Sequence, residues 1–206
     1  MVLDARSLKH RYQPKWSRSN ARELIVKAVL DVLLPDGFEA RLTGLGAGED
    51  GYIDRTYKGL LEAFDITIYY KNRPAAFVDV TGVPSPRDAK PKLGYCVGSW
   101  KIHKAKRHGV DIATWIAFVI DSEPTILWKH IKAFEKWGIR PERLYGDERE
   151  VLCLPRSKWK HYSDFERWLR LYAPSYANYI QALLEMDKEM EKLHSRGKDP
   201  ASPDPF

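Results

Sequence analysis

Hydrophobic positions change their period several times along the chain. From about Ala21 to Leu34, Leu24, Ala28 and the Val29–Leu30 pair recur at helical spacing, and Pro35-Asp36-Gly37 closes the segment. Phe38 to Leu42 suits a short strand. Ala63 to Tyr70 and Ala75 to Thr81 are rich in β-branched and aromatic residues, with turn residues between them, so they predict an antiparallel hairpin. Residues 82–93 hold three prolines and no periodicity, and read as a loop. A helix is predicted over about Val97 to His108, stopped by Gly109. Ile112 to Ile120 is almost continuously apolar, the mark of a strand buried on both faces. Pro124 to Trp137 reads as an amphipathic helix and Glu150 to Leu154 as a strand. Ser163 to about Tyr172 and Ser175 to His194 read as two terminal helices. Tyr176, Ile180, Leu183, Met190 and Leu193 form a stripe on the last one, which either joins the core or seams a dimer.

This order of elements predicts an α/β fold, a mixed central β-sheet flanked by helices with a helical C-terminal extension. The organisation read from it is a basic N-terminal arm (1–18), an α/β core (19–154), C-terminal helices packed on the core or forming a dimer contact (155–194), and a disordered tail (195–206). Composition agrees: 206 residues, 44% of them hydrophobic, make a domain-sized core and exclude wholesale disorder. No apolar run is long enough to span a membrane and the N-terminus has no secretory pattern. Cys96 and Cys153 are too few for a disulfide framework or a four-thiolate zinc site. The expected location is the cytoplasm, or the host cytoplasm for a viral protein. Only Gln13 and Gln181 represent glutamine, against 30% charged residues, a balance that leans toward a thermophilic source.

The net charge of +6 changes the picture once it is resolved along the chain. Residues 1–30 carry seven basic against two acidic side chains (+5), and residues 84–109 carry seven against one (+6), leaving −5 for the remainder. Two basic segments on a mildly acidic body fit a polyanion partner; solvated surface lysines are the plainer reading.

The hairpin holds two carboxylates, Asp65 and Asp79, inside otherwise apolar strands. With Lys71-Asn72-Arg73 as the turn and Tyr70 opposite Pro74, the two pair directly on one face, about 5 Å apart at Cβ. Like charges so placed destabilise a sheet unless a cation such as Mg²⁺ or Mn²⁺ lies between them. A slip of one residue would put them on opposite faces. On the following helix, Ile102 and Ala105 mark the buried face and Lys101 borders it, within reach of the aspartates. Glu23 is either a third carboxylate for the metal or the capping-box partner of Asn20. The glycine-rich run 44–48 lacks the Gly-Lys-Ser/Thr ending of a phosphate loop.

A helix with Glu23, a strand with Asp65, a hairpin to Asp79, a basic helix and then the buried strand Trp115–Ile120 resembles the core of the PD-(D/E)xK nuclease superfamily. The likeness covers roughly residues 19–121, and small archaeal Holliday-junction resolvases and nuclease-like proteins of hyperthermophile viruses share this order. In that family a lysine follows the second acid by two residues; here Thr81 stands there. The resemblance implies a metal-dependent DNA endonuclease, structure-selective on branched DNA in some members, and a branched substrate would suit a homodimer. It implies Asp65 and Asp79 as ligands of Mg²⁺ or Mn²⁺, joined by Glu23 and the Val80 carbonyl, and Lys101 or Lys104 as the migrated lysine. Arg87, Lys90, Lys92, Lys104, Lys106 and Arg107 would then grip flanking phosphates.

Three other readings stay open. Thr81 in the lysine position suits a catalytically degenerate nucleic-acid-binding protein. The interleaved aromatics from Trp159 to Tyr179 suit either core or an assembly surface. His103 or His108 could serve RNA cleavage, which leaves the paired aspartates unexplained.

Overall fold

The computed structural model describes residues 5–45, 59–88, 94–123, 125–136, 140–144 and 147–196. Helix α1 spans Ala5–Leu33. It begins well before Ala21, unforeseen because its first half carries no apolar stripe and contains Pro14. The segment read as an arm is therefore helical from Ala5 onward. Strand β1 (Phe38–Leu42), the short α2 (Gly59–Glu62) and the hairpin strands β2 (Ile66–Tyr70) and β3 (Arg73–Val83) follow. Then come β4 (Tyr95–Gly98), α3 (Ser99–Arg107), β5 (Thr114–Ile120), β6 (Thr125–His130), β7 (Arg140–Leu144), β8 (Asp147–Leu154) and α4 (Tyr162–Arg196).

Five strands form the main sheet in the order β1-β2-β3-β5-β6, and β4-β8-β7 form a small second sheet. Only the β3–β5 pairing is parallel in the main sheet. Every residue of β5 is buried, as its unbroken apolar run predicts. Its alternate residues feed two cores. Ile116, Phe118 and Ile120 join Phe77, Ile102 and Ala105 beneath α3 and the small sheet. Trp115, Ala117 and Val119 join Val26 and Leu30 of α1 and Phe165, Leu169, Ala173 and Ala177 of α4 on the other face. The predicted mixed sheet with helices on both faces is the observed fold.

Three predicted elements differ. The helix expected over Pro124–Trp137 is strand β6 followed by a 3-10 turn at Ile131–Lys136. Pairing with β5 decides this: β6 buries Leu127 in one core and Trp128 in the other, and Trp128 stacks on Phe165 at 4.6 Å. The helix expected from Val97 starts at Ser99, because Tyr95–Gly98 ladder with β8. The two terminal helices are one, continuing through Pro174, since the buried stripe Phe165-Leu169-Ala173-Ala177-Ile180 lies on both sides of it. Of the expected stripe, Ile180 lies in the first core with Tyr176 and Leu183 packed against it, while Met190 is exposed. Most of the predicted tail, from residue 197 onward, lies outside the described residues. The two cysteines pair with each other, joining facing residues of β4 and β8.

Candidate active site

The hairpin turn is tighter than expected. Lys71 and Asn72 have φ values of 48° and 64°, and Tyr70 faces Arg73 across a two-residue turn. Positive φ at both central positions is the geometry that matches the twist of a hairpin. Between Ile68/Tyr69 the register shifts, so that Tyr69 faces Pro74 while Ile68 faces Ala76. The extra residue, Ala75, is a bulge. It restores the register that a three-residue turn would have given, and Ile66 faces Val78. Asp65 lies one residue beyond this register, and both Asp65 and Asp79 meet the Lys101 ammonium. Both project to the α3 side of the sheet, the side that Phe77 shares.

Asp65 sits just beyond the end of β2, where Val80, paired with Ala117 of β5 on its other side, has no β2 partner. The Val80 N–H donates to Asp65 Oδ2 at 2.7 Å instead. Gly44 packs on the Asp65 backbone so closely that a Cβ there would lie 2.8 Å from Asp65 Cα. Asp79 is fully buried, and its Oδ2 has no hydrogen-bond partner among the described residues.

Both lysines of the first turns of α3 point into this cluster. Lys101 Nζ donates to the Val80 carbonyl at 3.0 Å and to Asp79 Oδ1 at 3.2 Å, and reaches Asp65 Oδ2 at 3.4 Å. Lys104 Nζ donates to Asp79 Oδ1 at 3.0 Å and to the Ala63 carbonyl. Lys104 was expected among the phosphate-gripping residues. Its ammonium is buried, because Asp79 has no solvent of its own and draws a second counter-charge inward. The indole of Trp100 covers both ammonium groups at 4.9 Å and remains 53% exposed at the mouth of the site. Its place is possible only because Gly98 has no side chain: a Cβ there would lie 2.6 Å from the indole nitrogen.

Glu23 belongs to the same cluster electrostatically. Burial, then the Asp65 charge, push its carboxyl up to about 8, against the opposing pull of Lys101 and the Ser19 hydroxyl. It accepts from Ser19 Oγ at 3.3 Å. Because α1 continues upstream, residues 20 and 23 lie inside the helix and no capping box forms there. Arg22 anchors this part of α1 through two 2.7 Å bonds to Asp121 at the end of β5. Gly82 of β3 lets the arginine pass. Burial also raises the Asp65 carboxyl, with Lys101 opposing it. At Asp79 burial pushes the same way, but the two ammonium groups outweigh it and hold the carboxyl below its ordinary value. Lys101 loses from burial and gains more from the two aspartates, so its ammonium is held firmly protonated.

The remaining predicted residues are dispersed. Arg87 and Arg107 are exposed, and Lys106 is exposed but paired with Glu135 at 3.1 Å. Lys90 and Lys92 lie outside the described residues. The sequence alone singled out neither Trp100, nor the Arg22–Asp121 pair, nor Gly82. Of these only Trp100, a tryptophan in the first turn of a lysine-rich helix, carries a local signal.

Among the described residues no three carboxylate, imidazole or thiol groups stand close enough to ligate one cation, and the Lys101 ammonium lies between the aspartates. The donor chemistry nevertheless fits a hard divalent ion: two carboxylates, one of them with an orphaned buried oxygen, and a backbone carbonyl, with no sulfur or imidazole.

A mixed sheet between helices, with an acid-bearing hairpin and a lysine-bearing helix, is a nuclease fold of the PD-(D/E)xK class. The chain belongs to the viral/archaeal nuclease family, whose model matches residues 24–167. Among solved structures it resembles D212, a nuclease from a fusselovirus, at 19% identity and a TM-score of 0.50, covering 85% of this chain and 99% of that one. It also matches the Holliday junction resolvase Hjc of the archaeal hyperthermophile Archaeoglobus fulgidus at 11% identity and a TM-score of 0.40, over 69% and 98% of the two chains. No curated protein matches the chain.

Proposed function

We propose that this protein is a divalent-metal-dependent DNA endonuclease acting through Asp65, Asp79, Lys101 and Glu23. The observation that carries the reading is one buried ammonium, Lys101, meeting both aspartates and the Val80 carbonyl. It supplies from α3 the charge that Thr81 lacks. Asp65 and Asp79 would hold Mg²⁺ or Mn²⁺, with the Val80 carbonyl as a further oxygen. A bound ion would polarise the scissile phosphate and lower the pKa of a coordinated water. Lys101 orients the attacking water or meets the negative charge that develops on phosphorus-bound oxygen. Glu23, protonated at neutral pH by its surroundings, can exchange a proton beside the aspartates.

DNA as the substrate rests on family membership and on the basic residues around α3. Arg87 and Arg107, with Lys90, Lys92 and Lys106, would contact phosphates and so position the duplex without reading its sequence. Selectivity for branched DNA and a homodimer are the finer parts of the proposal. Ile25 and Val32 on α1, and Leu171, Met186 and Met190 on α4, are the exposed apolar surfaces on which two copies would meet. Light scattering tests the dimer.

The deciding experiment is cleavage of linear and four-way-branched DNA with Mg²⁺ or Mn²⁺, beside Asp79→Ala and Lys101→Met. Asp79→Ala should be inactive, and Lys101→Met slower by about 10²–10³. Cleavage by Asp79→Ala equal to that of the unaltered protein overturns the assignment. Salt-sensitive, metal-independent binding without cleavage by any of them would instead identify a degenerate nucleic-acid-binding member.

A further inference from the structure

We infer that the two buried lysines divide their work: Lys104 is a permanent counter-ion that aims Asp79, and Lys101 is an exchangeable cation that a divalent metal displaces. This rests on the metal-dependent reading above.

The two ammonium groups converge on the same oxygen. Lys101 and Lys104 lie 3.2 and 3.0 Å from Asp79 Oδ1, while Oδ2 has no hydrogen-bond partner among the described residues. A carboxylate has acceptor sites on both oxygens, so loading one and leaving the other bare is a choice imposed by position. What separates the lysines is their remaining contacts. Those of Lys104 belong to the fold: the Ala63 carbonyl and the ring of Phe64 at 4.6 Å, while the Trp100 indole lies 4.9 Å from both ammonium groups. Neither the Ala63 carbonyl nor the Phe64 ring is a contact that Lys101 shares. Those of Lys101 are Asp65 Oδ2 and the Val80 carbonyl, the same oxygens that would coordinate the ion.

A monovalent ammonium and a hard divalent cation compete for one oxygen set. The divalent ion binds such a set more strongly, and a lysine has a flexible four-carbon stem on which to leave. The indole of Trp100, itself half exposed, lies 4.9 Å from the Lys101 ammonium and marks the way out to solvent. The arrangement keeps the buried aspartates neutralised before metal arrives, and the displaced ammonium ends beside the position of the reacting phosphate. Lys104 meanwhile holds Oδ1, which leaves Oδ2, without a hydrogen-bond partner among the described residues, to the incoming ion. It is a positioning residue and Lys101 a catalytic one.

The test is Mn²⁺ affinity by calorimetry on the full chain, with Lys101→Met and Lys104→Met, together with the ¹⁵N signals of the lysine ammonium groups during a Mg²⁺ titration of the unaltered protein. Lys101→Met should bind Mn²⁺ about tenfold more tightly, as expected when the occupied form outweighs the open one about ten to one. Lys104→Met should bind it about 10–100-fold more weakly, the usual effect of losing a group that orients a ligand. A merely structural lysine would lower the melting temperature and leave the affinity of the folded protein alone. In the unaltered protein the Lys101 signal should shift or vanish on Mg²⁺ addition while that of Lys104 persists, a readout that requires no variant to fold. Mn²⁺ affinity of Lys101→Met equal to or weaker than that of the unaltered protein, or a Lys101 signal indifferent to Mg²⁺, overturns the exchange. Lys104→Met binding as the unaltered protein does overturns the positioning role. Absence of any Mn²⁺ binding by the unaltered protein is a separate result, which removes the metal-dependent reading itself.

Discussion

The Cys96–Cys153 bond ties the active-site helix to the rest of the domain, and its contribution can be worked out. It links facing residues of β4 and β8 across a sequence separation of 57. β4 ends at Gly98 and α3 begins at Ser99, so the bond pins the strand from which Lys101 and Lys104 are delivered. In the chain-entropy account, cross-linking a loop of that length lowers the entropy of the unfolded chain by about 14 cal/mol/K, or about 4 kcal/mol at about 25 °C. A chain of this size loses roughly 2–4 °C of melting temperature per kcal/mol. Replacing both cysteines by alanine should therefore lower the melting temperature by roughly 8–16 °C, and reductant should do the same to the unaltered protein. Differential scanning calorimetry reads both. A shift below about 3 °C would refute the reasoning, because it would mean that the β4–β8 ladder already confines the unfolded chain as much as the bond does. Cleavage well below the new melting temperature should survive reduction, since Val97 and Leu152 remain buried in the core without it.

Three other outcomes follow from named contacts. His130 is held below its ordinary pKa by burial, against its bond to the Ile112 carbonyl, so the unfolded chain takes up its proton first as pH falls. The stability it contributes is complete above about pH 6.5 and is lost below it; His130→Gln should flatten the fall in melting temperature between about pH 7 and about pH 5. Gly82→Ala would place a Cβ 2.1 Å from the Val119 carbonyl oxygen, backbone that cannot step aside, and should cost about 1–3 kcal/mol in urea denaturation. If DNA is the substrate, Arg87→Ala and Arg107→Ala should each flatten the slope of log affinity against log salt by about 0.9, measured by fluorescence anisotropy on duplex DNA. An unchanged slope would remove that residue from the interface.

Much of the candidate site could be read without coordinates because its information is local. Strand alternation puts residues 65 and 79 on one face once the offset of the hairpin is known, and the turn residues limit that offset to few values. The predicted three-residue turn and the observed two-residue turn with a bulge at Ala75 reach the same pairing, since each accommodates one extra residue. The uniform burial of β5 follows equally directly from its composition.

What the sequence by itself determined, then, was the acid-bearing hairpin, the buried strand beside it and a basic helix between them. The tertiary structure alone decided which of the helix's lysines became buried, that Glu23 joined them, and that residues 125–130 became a strand. The physical reason is the same in each case. Periodicity states which face of a segment is apolar, but not which neighbour will cover it. A lysine goes inside only if a carboxylate without solvent awaits it, and for Lys104 that carboxylate is Asp79, 25 residues earlier in the chain. Likewise Thr125–His130 could serve a helix or a strand until β5 offered it a ladder and Phe165 a ring to stack on.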